Sequence, residues 1–205
     1  MTGEPRTVIF DLGGVLVDWN PRYLYRRLFP GDPAGMERFL AEVCTTEWNQ
    51  RQDAGRPWAE AVAELVARYP AQADLIRAYR ERWEETLGSA IDGSVAILGE
   101  VRDAGHHLLG LTNWSHETFP LSRVRFPFFD WFHGIVVSGE EKLIKPDPRL
   151  YLRLLERYRV DPARAVFIDD SPKNVEAAAA LGIHAIHFRS PPALRDELTA
   201  LGVLS

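Results

Sequence analysis

At 205 residues, with 46% hydrophobic residues and a formal net charge of −5, the chain is long enough to bury one large core, or a core with a modest insertion. The negative balance and the scattered arginines argue against nucleic acid as the main partner, since such partners usually demand a basic face. The lone cysteine, Cys44, excludes an internal disulfide; no apolar run approaches the roughly 18 residues that span a bilayer, and Met1 to Arg6 hold no apolar signal region, so a cytoplasmic protein without membrane contact is expected.

The first element is Val8-Ile9-Phe10, apolar at successive positions, which suits a strand buried on both faces of a parallel sheet. It runs into Asp11 and then Gly13-Gly14, a pair read as allowing a tight turn and a close approach that side chains would forbid. Asp18-Trp19-Asn20-Pro21 reads as a loop, with Asn20 as helix cap and Pro21 at the first helical position. Helical spacing then recurs in Tyr23/Leu24/Arg27/Leu28, Met36/Phe39/Leu40/Val43, Trp58/Ala61/Val62/Leu65/Val66 and Leu75/Ile76/Tyr79/Trp83, with turns at Pro30–Pro33, Asp53–Gly55 and Tyr69-Pro70. These four helices, without a strand signal, predict a compact helical insertion over 18–89. Cys44 falls on an amphipathic face with Phe39, Leu40 and Val43, as a packed thiol would.

From Asp92 helices and short apolar strands alternate: helix 92–104, strand Leu108–Leu111, helix 116–125, strand Ile135–Val137, helix 148–158, strand Ala165–Ile168, helix 172–181 stopped by Gly182, strand Ala185–Phe188 and helix 193–201. Such alternation implies right-handed crossovers and a parallel sheet covered on both faces. The expected fold is α/β: a Rossmann-like parallel sheet sandwiched by helices, formed by 1–17 and 90–205, with an inserted α-helical cap at 18–89.

Ligands of such sheets bind at the carboxyl ends of the strands, and four strands end in polar residues there. Asp11 follows the first; Leu111 leads into Thr112-Asn113; Val137 leads into Ser138, with Lys145 a loop later; Ile168 leads into Asp169-Asp170. Phe10-Asp11-Leu12-Gly13-Gly14-Val15, Leu111-Thr112-Asn113, Lys145-Pro146-Asp147-Pro148 and Phe167-Ile168-Asp169-Asp170-Ser171 resemble, in order and spacing, the four motifs of the haloacid dehalogenase superfamily. The insertion between the first two is similar to that superfamily's helical cap.

The resemblance to the phosphatase branch implies that Asp11 attacks phosphorus and forms an aspartyl-phosphate that water hydrolyses. It implies Mg²⁺ as cofactor, held by Asp11, the backbone carbonyl of Gly13, and Asp169 and/or Asp170. Lys145 would neutralise charge as a catalytic and substrate-binding group, and Thr112 and Asn113 would orient the phosphate oxygens. Asn174 is a candidate to hold the aspartates from behind. Most phosphatases of the superfamily carry a second aspartate two positions after the nucleophile; here that position is Gly13, and a missing general acid forfeits about 10²- to 10⁴-fold in rate. Asp18 is one possible substitute, with capping as the plainer role. The expected substrate is a small phosphate ester, a sugar phosphate among the options, because the motif form resembles sugar-1-phosphate phosphatase-like proteins. Trp19, Trp48, Arg51, Trp114 and His116 are candidate substrate contacts, while His106 and His107 read as structural or exposed. A 2-haloacid dehalogenase and a non-catalytic binding member of the fold are the alternatives.

Overall fold

The computed structural model describes residues 6–205. Strand β1 (Thr7–Phe10) lies at the centre of a five-stranded sheet and buries both of its faces. Val8 and Phe10 join one core cluster and Ile9 the other, as the two-residue side-chain period of a strand requires.

The next elements differ from expectation. Residues 17–19 form a short strand, β2 (Val17–Trp19), which the sequence presents as a loop. Helices α1 (Arg22–Leu28), α2 (Pro33–Glu42), α3 (Thr46–Asp53), α4 (Trp58–Arg68) and α5 (Ala73–Glu81) follow, and strand β3 (Leu87–Ala90) returns to pair antiparallel with β2. A three-residue strand whose partner is distant in sequence carries no periodic signal of its own. Asn20 nevertheless does what its position suggests: its side chain accepts the Arg22 N–H at 3.0 Å and starts α1. The five helices form an insertion between β2 and β3, held by a tight aromatic cluster of Tyr25, Phe39, Trp48, Trp58 and Tyr79. Cys44 is buried in the same cluster, and burial pushes its thiol up to about 12, so it packs and does not react.

The remainder alternates as expected: α6 (Asp92–Asp103), β4 (His107–Thr112), α7 (Phe119–Arg125), β5 (Gly134–Val137), a single turn α8 (Ser138–Glu141), α9 (Pro148–Arg157), β6 (Ala165–Asp169), α10 (Pro172–Ala179), β7 (His184–His187) and α11 (Pro191–Ala200). The strand order is β5-β4-β1-β6-β7, with every neighbour parallel. Successive strands build outward from β1 to β4 and β5, then the chain crosses to β6 and β7 on the other side. The direction of winding therefore reverses beside β1, which opens a crevice at its carboxyl end. His106 is structural: its Nδ1 accepts the Arg6 N–H and its Nε2–H donates to the carbonyl of Val203, tying both ends of the described chain to β4. No helix among the described residues is long and apolar enough to cross a membrane.

Candidate active site

Phe10 is in register with Gly110 on one side and Ile168 on the other, and the Asp11 N–H extends the ladder by donating to the Ile168 carbonyl at 2.8 Å. Asp11, Thr112 and Asp169 therefore emerge from three adjacent strand ends. Lys145 reaches the same point from the loop before α9. Its ammonium is buried and spends its three donors on Asp169 Oδ2 (2.7 Å), the Leu111 carbonyl (2.8 Å) and Asp11 Oδ2 (2.9 Å). The loop is fixed in turn by Asn113, whose side chain accepts the Lys145 N–H at 2.8 Å and donates to the Lys145 carbonyl at 3.0 Å. Both ends of that amide are thus committed to positioning Lys145.

The two adjacent aspartates differ. Asp169 is fully buried and saturated by protein donors: Oδ2 takes Lys145, while Oδ1 takes the Ser171 N–H and Asn174 Nδ2, each at 2.9 Å. Asn174, itself buried, is thus a direct partner of Asp169. Asp170 is exposed and its carboxylate lies under Gly14, where a Cβ would collide with it. Gly14 also has φ +77°, so glycine is required there on two counts. Gly13 is different: its φ is not in the left-handed region and a Cβ would meet nothing within 4 Å. The expectation that both glycines are sterically required holds only for Gly14.

The site is short of positive charge. Burial, together with Asp169 and Asp170, pushes the Asp11 carboxyl well above its ordinary value against the pull of Lys145. Burial alone would lower Lys145, but Asp11 and Asp169 outweigh it and hold the ammonium charged. Burial and Asp169 also raise Asp170. Asp11, Asp169 and Asp170 each offer an oxygen within 4.8 Å of the others. Three carboxylates against one ammonium, with only oxygen donors, fit a hard divalent cation. Asp11 and Asp170 have carboxylate capacity left for it.

Above this floor is a cavity of about 560 Å³. Asp11, Gly13, Thr112, Asn113, Lys145 and Asp170 line it from the strand ends. The other wall comes from Thr46, Asn49, Gln50 and Asp53 of α3, with Trp19, Trp83 and Trp114. Of the aromatic and basic candidates, Trp19 and Trp114 are in this wall. Trp48 packs inside the insertion against Trp58 and Tyr79, and Arg51 and His116 are exposed and outside the lining. Asp18 is not in the lining either: its side chain accepts the Tyr23 hydroxyl. Asn49, Asp53 and Trp83 carry no sequence signal for a site, because α3 has a single apolar residue, Trp48, to mark its period, and Trp83 reads as helix core.

Residues 5–182 match the family model for haloacid dehalogenase-like hydrolases. The chain is 30% identical to the phosphorylated carbohydrates phosphatase of Thermotoga maritima over 88% of this chain and 83% of that one. It is 31% identical to mouse acyl-CoA dehydrogenase family member 10 over 96% of its own length, but spans only 19% of that protein. Among solved structures, a HAD family enzyme of Bacteroides thetaiotaomicron in complex with magnesium and inorganic phosphate superposes with a TM-score of 0.69 at 22% identity, over 91% of this chain and 95% of that one.

Proposed function

Because the chain belongs to the haloacid dehalogenase-like hydrolases, and is a hydrolase on that ground, we propose that it is a Mg²⁺-dependent phosphatase of a small, soluble phosphate ester. The observation that carries this reading is the buried junction of Asp11, Lys145 and Asp169 beside the exposed carboxylate of Asp170.

In this reading Asp11 attacks phosphorus. The new bond joins a carboxylate oxygen to phosphorus as the bond from phosphorus to the leaving oxygen breaks, and water then cleaves the aspartyl-phosphate. Lys145 holds the Asp11 carboxylate in place and keeps its charge beside the incoming phosphate. Thr112 and the backbone N–H of Asn113 would bind phosphate oxygens, since the Asn113 side chain is occupied by Lys145. Mg²⁺, when bound, offsets the repulsion between a carboxylate and a phosphate dianion. Asp11, the Gly13 carbonyl and Asp170 would hold it, with Asp169 fixing Lys145 and the α10 entry from behind. Residues 1–17 and 90–205 then act as catalytic core and 18–89 as the cap that closes over it, in a cytoplasmic protein. The similarity to a carbohydrate-phosphate phosphatase supports a sugar phosphate as substrate. The acidic cluster speaks against haloacid dehalogenation, since it would repel a haloacid carboxylate and has no task in a metal-free displacement.

The test is phosphate release from a panel of esters with and without Mg²⁺. Metal-dependent release that Asp11→Asn lowers at least 10³-fold is expected; no release from any ester, including an activated aryl phosphate, would sink the assignment.

A further inference from the structure

Asp53 ends α3 and lines the cavity together with Thr46, Asn49 and Gln50 of the same helix. It is firmly placed. Its carbonyl accepts the Ser138 hydroxyl at 2.6 Å, and Ser138 in turn accepts the Trp114 N–H at 2.9 Å, so the end of this cap helix is tied to the loops after β4 and β5. Its carboxylate accepts Asn49 Nδ2 at 3.1 Å, and the nearby Ser115 backbone N–H favours its charged form. No arginine or lysine among the described residues forms an ion pair with it.

An acid half-buried among indoles and amides, with no cation beside it, is costly unless something else supplies donors. The remaining surface of Asp53 opens on the cavity. The cations that line the cavity, Lys145 and Lys173, belong to the strand-end wall and the start of α10, and Lys145 is already saturated. The leaving-group wall therefore offers one carboxylate, neutral amide and hydroxyl groups, and aromatic faces. It offers no partner for a second anion.

Resting on the phosphatase reading, we propose that Asp53 is the specificity-determining residue for the leaving group, selecting esters whose alcohol presents hydrogen-bond donors and carries no anion. Hydroxyls of a polyol and an ammonium group share that chemistry. A carboxylate or second phosphate placed against this wall is disfavoured by like-charge repulsion with Asp53 and by the lack of a countercharge on the wall itself, while Lys173, the lining cation without an ion pair among the described residues, stands at the start of α10 next to the strand-end carboxylates.

The experiment compares kcat and KM for glucose 1-phosphate, O-phosphoethanolamine, phosphoglycolate and fructose 1,6-bisphosphate in the full-length wild type, Asp53→Asn and Asp53→Ala. Each value is normalised to the same variant's turnover of p-nitrophenyl phosphate. Wild type is expected to favour the first two esters over the last two at least tenfold in kcat/KM. Asp53→Asn should compress that ratio at least tenfold, chiefly through KM. A larger loss for O-phosphoethanolamine than for the sugar ester identifies a charged donor, and equal losses identify hydroxyls. A ratio unchanged in both variants, or a wild type that prefers the anionic leaving groups, overturns the proposal. Calorimetric binding of the same four esters to Asp11→Asn and Asp11→Asn/Asp53→Asn reads the same preference without turnover. If no ester is hydrolysed yet the binding preference depends on Asp53, the phosphatase reading fails and the selectivity stands; if binding shows no such dependence, the selectivity fails on its own.

Discussion

The two walls of the cavity are built on opposite principles. On the strand-end wall, Lys145 has all its donors engaged, Asp169 is saturated, and Asn113 spends its amide on the loop that carries Lys145. Geometry there is over-determined, as a reacting centre requires. On the opposite wall, Asp53 lines the cavity with no ion-pair partner among the described residues, beside the amides of Asn49 and Gln50 and the indoles of Trp19, Trp83 and Trp114. Fixed polar groups with bonds to spare are what a recognition surface needs. One wall is arranged for chemistry and the other for choice, so changes to each should fail in different ways.

The largest effect should come from Lys145→Met. Removing the ammonium leaves Asp11 and Asp169 buried without their partner, which typically costs about 3–5 kcal/mol. Thermal unfolding should shift accordingly and phosphate release should fall at least 10³-fold for every ester alike. A variant that lost activity on some leaving groups and retained it on others would break the division between the walls.

Gly13→Asp should act in the opposite direction. A Cβ at Gly13 would meet nothing within 4 Å and the backbone there is not in the left-handed region, so a side chain can start at this position without a clash. An aspartate would stand where most phosphatases of the superfamily carry their general acid. The expected outcome is a gain of about 10- to 100-fold in kcat for alkyl phosphates, toward the lower end of what general acid catalysis supplies, with little gain for an aryl phosphate whose leaving group needs no proton. Equal gains on both esters would mean the new carboxylate works some other way.

The same contrast explains what could be read from the sequence. Asp11, Thr112 and Asp169-Asp170 each end a continuous apolar run, so strand and polar terminus are written within a few residues. The register that brings them together follows from the alternation of strand and helix. Lys145 was legible only through the motif around it, since a lysine before a proline looks like any loop lysine. The opposite wall lacks local signals: the buried stripe of α3 is Trp48, Asn49 and Gln52, two of them polar, and this hides the helix from hydrophobic periodicity. The β2–β3 pairing that brings Trp19 to the cavity mouth is non-local. The difference between Asp169 and Asp170 depends on side-chain direction, which no spacing encodes.

Asp53 supplies a smaller, pH-dependent prediction. Burial pushes its carboxyl up to about 7, with the Ser115 N–H pulling the other way. Tyr79 of α5 is the titratable group that faces it, and Lys142 lies against Gly55 two residues on. Because the folded value lies above the unfolded one, the folded protein holds this proton more tightly. Stability is therefore lost as pH rises from about 4 to about 7, and the loss is complete above the folded value. Asp53→Asn should then raise stability by about 2 kcal/mol at pH 8, after allowance for the access that the cavity gives to water, and by close to nothing at pH 4. Denaturant unfolding at the two pH values checks this. In the wild type, selectivity against anionic leaving groups should sharpen as pH rises through 7 and the carboxylate gains its charge.

Asn174→Ala tests the supporting layer of the chemical wall with the smallest expected effect. Its amide donates to Asp169 Oδ1 at 2.9 Å and its carbonyl accepts the Tyr151 hydroxyl at 3.1 Å, so α10 is held to β6 by the side chain and to α9 by the backbone. Truncation removes one donor from Asp169 and leaves the Ser171 N–H and Lys145 in place. A hydrogen bond to a charged acceptor contributes about 1.5–3 kcal/mol, and the two remaining donors place the cost at the low end. Asp169 fixes the entry to α10, which begins next to Asp170, so loosening it loosens that metal ligand only indirectly; loss of a ligand's direct orienting partner typically lowers metal affinity 10- to 100-fold, and the indirect effect falls at the low end. For Asn174→Ala we expect about a tenfold rise in the Mg²⁺ concentration needed for half-maximal activity. The maximal rate and the ranking of leaving groups should not change. A change in that ranking would show that the strand-end wall also selects the alcohol, and the two walls would then have to be treated as one.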